Sequence, residues 1–245
     1  MRLGPGHGEK GFVLGPYEYT IWFICTLLEV AVVVCAFRKN AIRRYAFLNA
    51  FMGASVLISV ARYNVLHHYG FASKEYHYFY YYSDFLLTIV LYLALTSLYS
   101  HVFSELKAGQ YVRLGTVVLL CGTALFSYAV VQQSSSKLVM THFVIELSQN
   151  LYFVGLVLTY VLWAAVLKIR ETRTRLIQLI LSTGVYFSMS AANFAMQNLS
   201  HSRSTLFEYL PPLFGCFLPL SWAYAFWRIP EEARTVPSQL AVVPR

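Results

Sequence analysis

The stretch Tyr17–Phe37 reads YEYTIWFICTLLEVAVVVCAF and is followed at once by Arg38 and Lys39. It is apolar almost throughout, and at 1.5 Å per helical residue it is long enough to cross a hydrocarbon core of roughly 30 Å. A membrane β-barrel would show segments of about ten residues alternating apolar and polar, and this run is unbroken for twice that length. Six further runs have the same character: Tyr45–Val65, Tyr80–Phe103, Leu114–Val131, Leu147–Leu167, Leu176–Met196 and Leu210–Trp227. The expectation is an all-α, polytopic membrane protein with seven transmembrane helices.

Composition agrees. Hydrophobic residues make up 58% of the 245-residue chain and charged residues 12%, against roughly 45–50% and about 25% in soluble domains. Mean hydropathy is +0.53. Seven spans with short loops use nearly the whole length, so the expected division is a short extracytoplasmic N-terminus (1–16), a transmembrane domain (17–228) and a cytoplasmic tail (229–245). The tail carries three prolines and no periodicity, which predicts disorder. The first sixteen residues hold no apolar core followed by a small-residue cleavage site, so span 1 reads as an uncleaved anchor.

The net charge of +8 is distributed as a topology signal. Arg38, Lys39, Arg43, Arg44, Lys107, Arg113, Lys168, Arg170, Arg173, Arg175, Arg228, Arg234 and Arg245 all fall on one side of the seven spans, thirteen of nineteen basic residues. The positive-inside rule then puts the N-terminus outside and the C-terminus in the cytoplasm. No nucleic-acid face is implied; the environment is the lipid bilayer of the cell (cytoplasmic) membrane. Cys25, Cys35, Cys121 and Cys216 all lie within spans with no Cys-x-x-Cys pair, and read as small apolar packing residues rather than a disulfide framework or a zinc site.

Ionisable residues inside spans cost about 2.5–3.5 kcal/mol at the helix centre on insertion scales, so each asks for a partner or a task. Arg62, near the outer end of span 2, and Asp84, near the outer end of span 3, come to similar depth on adjacent antiparallel helices. They read as a pair, either a salt bridge fixing the hairpin or part of a ligand site. Glu29, mid-span with no basic neighbour in sequence, is either a protonated structural carboxyl or a proton-coupling site.

Polar stripes at helical spacing run along span 6 (Thr183, Tyr186, Ser190, Asn193, Gln197) and span 3 (Asp84, Thr88, Tyr92, Thr96, Tyr99). Lipid offers such faces no partners, so they point into the bundle. The expectation is an outward-opening cavity between spans 2, 3, 6 and 7, walled by Arg62, Asp84, Thr88, Tyr92, Tyr186, Ser190, Asn193 and Gln197. Its mouth would carry inward rings of Tyr78, Tyr81 and Tyr82, from the aromatic segment KEYHYFYYYSDF (74–85). An interfacial aromatic belt, or a dry polar core, accounts for the same residues without a ligand.

Five outer histidines (His67, His68, His77, His142, His201) lack any His-x-x-His or His-Glu-x-x-His spacing, and no metal or other cofactor is expected. Pro219 predicts a kink in span 7. A faint echo between Gly53–Tyr63 (GASVLISVARY) and Gly184–Phe194 (GVYFSMSAANF) suggests three-plus-one-plus-three repeats with span 4 as connector. No nucleophile elbow, phosphate loop or histidine box is present, so the chain is not expected to be an enzyme.

In topology the chain resembles bacterial seven-span receptor-like membrane modules, and its aromatic opening of span 3 is similar to that of uncharacterised bacterial seven-span proteins. That resemblance covers most of the chain in outline and carries over no functional residue. The functional expectation is a non-enzymatic ligand-binding or sensory module for a small molecule, acting through a cytoplasmic or membrane signalling partner. A proton-coupled small-solute transporter is the alternative, and a haem-bearing electron carrier a distant third.

Overall fold

The computed structural model describes residues 16–103, 109–132, 139–169, 171–199 and 206–234. They form seven α-helices: α1 (Pro16–Arg38), α2 (Ala46–Tyr69), α3 (Lys74–Val102), α4 (Gly109–Gln132), α5 (Val139–Ile169), α6 (Thr174–Leu199) and α7 (Leu206–Arg228). Among the described residues the only β-type pairing is an isolated bridge between Arg173 and Arg234. Among the described residues six helices, α1 to α6, are long and apolar enough to cross a membrane, the character of a multi-pass membrane protein.

The exposed side chains show how the helices meet their surroundings. On α1, Phe23, Leu27, Val30, Val34 and Phe37 are exposed at steps of four and three, a continuous apolar stripe. In water that stripe would be costly; against lipid tails it is the ordinary condition. Val32 and Ala36 on the other side of α1 are fully buried. Glu29, one turn before Val32, shares that inner face.

α3 begins at Lys74, six residues before the apolar run, because Ser73 caps it. The Ser73 hydroxyl oxygen accepts from the Tyr76 backbone N–H at 3.1 Å, and Glu75 lies in the first turn. Gly70, at φ +78°, ends α2 in a conformation that disfavours a side chain. The α2–α3 hairpin is therefore tight, and its two helices run side by side.

Six helices close a ring in chain order: α1 packs on α2, α2 on α3, α3 on α5, α5 on α6, α6 on α7, and α7 back on α1. α4 stands outside, against α5 and α3. The α5–α6 contact depends on small residues. A Cβ on Gly155 would stand 2.3 Å from the Phe187 ring, and one on Gly184 would stand 2.6 Å from Thr159 Cγ2. The α1–α7 seam is closed covalently by a disulfide between Cys25 and Cys216, with Cα atoms 4.8 Å apart and a sequence separation of 191. This corrects the reading of all four cysteines as packing residues. Two of them meet because the ring brings the first and last helices together, a contact that sequence spacing cannot register.

The ring is filled unevenly. Towards the end that carries the basic loops its interior is a plug of fully buried side chains, including Ala36, Leu48, Met52, Leu95, Leu98, Leu179, Trp222 and Phe226. At that same end the chain after α7 folds back. Arg175, 4% exposed, bonds the Ile229 carbonyl from Nε at 2.9 Å and also from Nη2, and forms a salt bridge with Glu231. Arg44 reaches Glu231 at 3.0 Å, the Tyr45 hydroxyl donates to it at 3.2 Å, and Thr174 N–H donates to Ala233 O at 3.2 Å. Disorder was expected from residue 229 onward, but 229–234 is held by these bonds; 235–245 lies outside the described residues. α7 runs through Pro219 as one continuous helix.

The two glycines matched by the proposed repeat sit in different surroundings. Gly184 is pressed against Thr159, whereas a Cβ on Gly53 would meet nothing within 4 Å. Gly184→Val is expected to overpack the α5–α6 contact and destabilise the protein by about 1–3 kcal/mol, while Gly53→Val stays near the parent. Thermal unfolding of both variants in detergent checks this, and equal losses would show that the α5–α6 contact is not close.

Candidate functional site

Arg62 of α2 and Asp84 of α3 meet, as their depth on the hairpin predicts. They are not a close pair: the nearest approach is 3.9 Å between Nη2 and Oδ1. Arg62 is held more firmly by its other contacts. Its Nε donates to Ser83 Oγ at 2.8 Å, its Nη2 donates to the Tyr80 carbonyl at 3.2 Å, and the guanidinium lies 4.3 Å from the centre of the Tyr80 ring. Residues 80–84, one turn of α3, thus form a cradle for one cation.

Glu29 of α1 faces the same interior. Its Oε1 accepts from Ser55 Oγ of α2 at 2.6 Å, and its Oε2 is buried with no hydrogen-bond partner. Arg62 is the cation whose charge acts on both Glu29 and Asp84. Across the ring, the hydroxyls of Tyr152 (α5) and Tyr186 (α6) lie 3.5 Å apart, and the Phe194 ring packs 5.4 Å from Tyr152. Tyr152 is in electrostatic reach of Asp84 and Thr88, and Tyr186 of Ser190, Asp84 and Glu29. Five helices therefore contribute to one polar interior.

Several expected wall residues belong to it: Arg62, Asp84, Thr88, Tyr186 and Ser190. Asn193 is 7% exposed and its Oδ1 has no partner. It shares a face of α6 with Tyr186 and Ser190, at steps of four and three. Gln197 has its side chain outside the described residues. Tyr92 is buried but aims away, its hydroxyl donating to the Thr116 carbonyl of α4 at 3.4 Å, so it is not a wall.

The expected mouth is also corrected. Tyr78 and Tyr82 are 40% and 41% exposed, and the intermediate Tyr81 stacks edge-on to Tyr80 at 5.9 Å. The inner face of this turn belongs to Tyr76 and Ser83, 8% and 7% exposed, while the Asp84 side chain is 35% exposed. The helical period explains it: Tyr78 and Tyr82 are one turn apart on a face rotated from the one that Tyr76 and Ser83 share, and Tyr80 is itself 41% exposed.

The set of helices differs from the expectation as well. Between α2 and α7 stands α1, and between α3 and α6 stands α5, so Glu29 and Tyr152 join the site. Tyr152 went unnoticed in sequence although Ser148, Tyr152, Gly155 and Thr159 form a buried stripe at steps of four, three and four. The inference that the polar groups are too many to be absorbed pairwise fails for the hydroxyls. Thr26, Thr88, Thr96, Thr123, Ser127, Thr159, Ser182, Thr183 and Ser188 each donate to the carbonyl four residues back, at 2.6–3.0 Å. A crevice of about 320 Å³ does exist, but between the ends of α1 and α2 away from the basic loops, lined by Tyr19, Tyr63, Leu66 and His67. None of the expected wall residues lines it.

Among the described residues no three His, Cys, Asp or Glu side chains converge to hold a metal ion. His68 and His77 spend Nδ1 on carbonyls of their own helix or its cap, Asn64 at 2.9 Å and Ser73 at 2.7 Å. At the basic end, burial alone would raise the Glu171 carboxyl. Hydrogen bonds from the Arg173 side chain and backbone, the Arg173 charge and the Thr172 N–H outweigh it and hold the group below the usual carboxylate range.

No family model, curated protein or solved structure matches this chain. Its function has to be argued from the interior itself.

The cradle makes a specific demand on mutants. Arg62→Ala strips Asp84 of its cation and is expected to cost more than Asp84→Ala, because Arg62 keeps Ser83 and the Tyr80 carbonyl when Asp84 is lost. The double change should be milder than the sum by about 0.5–3 kcal/mol. Unfolding measurements that come out additive would show that the two charges do not interact.

Proposed function

We propose that the chain crosses the cell membrane seven times, with its N-terminus outside and its C-terminus in the cytoplasm, as a non-enzymatic ligand-binding or sensory module that hands its signal to a partner protein. The orientation is supported by the basic residues gathered at one end of the bundle. The observation that carries the functional reading is the uneven filling of the ring. Arg62, Asp84 and Asn193 stand in the half away from the basic loops, Glu29, Tyr152 and Tyr186 stand near mid-depth, and the half with the basic loops is plugged by Trp222, Phe226, Leu48, Met52 and Leu98. A polar ligand entering from outside finds bonding groups and then a packed apolar floor. That arrangement suits binding better than passage.

A transporter is the second reading, and one observation favours it. Exchanging α1, α2, α3 with α5, α6, α7 maps every contact of the ring onto another contact of the ring, with α4 left outside as the connector. Parallel repeats of this kind occur in transporters that rock one half against the other. The unequal surroundings of Gly53 and Gly184 weigh against it.

Two measurements test the proposal. Impermeant labelling of terminal tags in cells should reach the N-terminus from outside and the C-terminus only after lysis; both termini on one side would refute the seven-span count. A thermal-stability panel of small polar molecules on the purified protein should yield at least one saturable stabiliser that is not accumulated in proteoliposomes, with or without a proton gradient. Accumulation of that compound would replace the sensory reading with transport.

A further inference from the structure

The crevice of about 320 Å³ between α1 and α2 is lined by Tyr19, Tyr63, Leu66 and His67, so three of its four walls are aromatic rings. Its size falls at the lower end of small-molecule pockets, about 300–1,000 Å³. The rings contact one another in a chain. Tyr19 and Trp22 are 6.4 Å apart and nearly parallel, Trp22 and Tyr63 are 6.3 Å apart and edge-on, and Tyr63 and His67 are 6.4 Å apart. Trp22 touches both tyrosines and thereby fixes the α1 ring relative to the α2 ring, so the aromatic walls are in place before anything enters. An interfacial belt needs rings at this level but no space enclosed between them.

The charges around the crevice narrow what fits it. Among the described residues no Asp, Glu, Lys or Arg side chain lines it. Arg62, next in sequence to Tyr63, is turned to α3, where Ser83 and the Tyr80 carbonyl take its N–H groups. An anion therefore finds no guanidinium or ammonium there. The attraction on offer is that of the rings, whose negative π-systems draw a cation. A primary ammonium would bring three N–H donors to a site with no carboxylate, and would lose part of its hydration without replacement. A quaternary ammonium has no donors to satisfy, and its methyl groups match the apolar lining that buried Leu66 completes. Tyr19 in the first turn of α1 and His67 in the last turn of α2 place the crevice at the ends of two helices of membrane-crossing length, a level that both lipid heads and dissolved molecules reach.

We propose that this crevice binds a quaternary ammonium group of the choline type, carried by a free solute or by a lipid head. The site is separate from the polar interior of the ring and does not rest on the reading given above for that interior.

The test uses the full chain in a maltoside detergent and three probes at equal ionic strength: choline, ethanolamine, and the dimethylbutanol in which carbon replaces the choline nitrogen. Choline should raise Tm saturably, ethanolamine less, and the neutral isostere not at all. Tyr63→Phe keeps the ring and should keep the shift, whereas Tyr63→Leu and Trp22→Leu should weaken choline by roughly two- to thirtyfold in apparent Kd. Nanodiscs separate the two sources. Loss of the choline shift in phosphatidylcholine discs, with the shift retained in phosphatidylglycerol discs, assigns the site to a lipid head; a shift that persists in both assigns it to a free solute. Equal stabilisation by choline and its neutral isostere shows a hydrocarbon site, such as one for an acyl chain, and overturns the proposal. Ethanolamine equal to choline overturns the quaternary assignment. A choline shift unchanged in Tyr63→Leu places binding elsewhere, and no choline shift in detergent together with equal stability in the two kinds of disc ends the idea. Should Tyr63→Leu or Trp22→Leu fail to give a monodisperse protein, Tyr19→Leu, at the start of α1, carries the same expectation, and the neutral isostere on the unmodified chain separates cation from hydrocarbon.

Discussion

A polar group in the hydrocarbon of a bilayer has no water to bond to, and the arrangement of this protein follows from that constraint. Most of its intramembrane hydroxyls meet it locally, by donating to the carbonyl one turn back, and so make no demand on neighbouring helices. Charged groups have no such local solution. Arg62 lies on α2, its Ser83, Tyr80 and Asp84 contacts lie on α3, and Glu29 on α1 is bonded to Ser55 on α2. These few groups tie α1, α2 and α3 together at depth and set the face that each turns to the ring interior.

The opposite end of the ring meets the same constraint differently. Arg175 is almost wholly buried, yet its bonds to the Ile229 carbonyl, its salt bridge with Glu231 and its position over the Phe226 ring satisfy it. Glu231 also receives Arg44 and the Tyr45 hydroxyl, and Tyr45 stacks on His101 of α3 at 5.3 Å. Through one carboxylate, the turn before α2, the start of α6 and the chain after α7 are joined. Together with the Cys25–Cys216 disulfide this holds α7 at two heights, and the apolar plug lies between these ties. The basic end is thus a stiff floor, and the buried side-chain atoms left without a hydrogen-bond partner among the described residues are spread over both halves: Asn49 Oδ1 and Trp222 Nε1 at the floor, Glu29 Oε2 near mid-depth and Asn193 Oδ1 above it.

Parts of this were legible in the sequence and parts were not. The Arg62–Asp84 encounter was legible because a short hairpin fixes relative depth, and two charges at equal depth on adjacent helices have strong reason to meet. The stripe of Tyr186, Ser190 and Asn193 was legible from helical period alone. The error at Tyr78 and Tyr82 was avoidable: period places them a rotation away from Tyr76 and Ser83, and the abundance of tyrosine in that turn obscured the wheel. Tyr92 could not have been assigned, because it lies on the span-3 stripe with Asp84 and Thr88 while its hydroxyl serves the helix that stands outside the ring. The ordered segment 229–234 was hidden because its partners, Arg44, Tyr45 and Arg175, are distant in sequence and read as ordinary topology charges.

By itself, the sequence determined what depends on short-range physics: helical segments, their lengths, their apolar character, and the faces at steps of three and four. Backbone hydrogen bonding within a helix and the transfer cost of each side chain are local quantities, so a single chain carries them in full. Only the tertiary structure decided which helices are neighbours, that α4 is left outside, that Cys25 meets Cys216, and that Glu29 and Tyr152 face the same interior. Lipid tails are as apolar as leucine, so hydrophobicity does not choose among helix partners. That choice falls to close packing of small residues such as Gly155 and Gly184 and to a few interhelical polar bonds, whose geometry is absent from composition and periodicity.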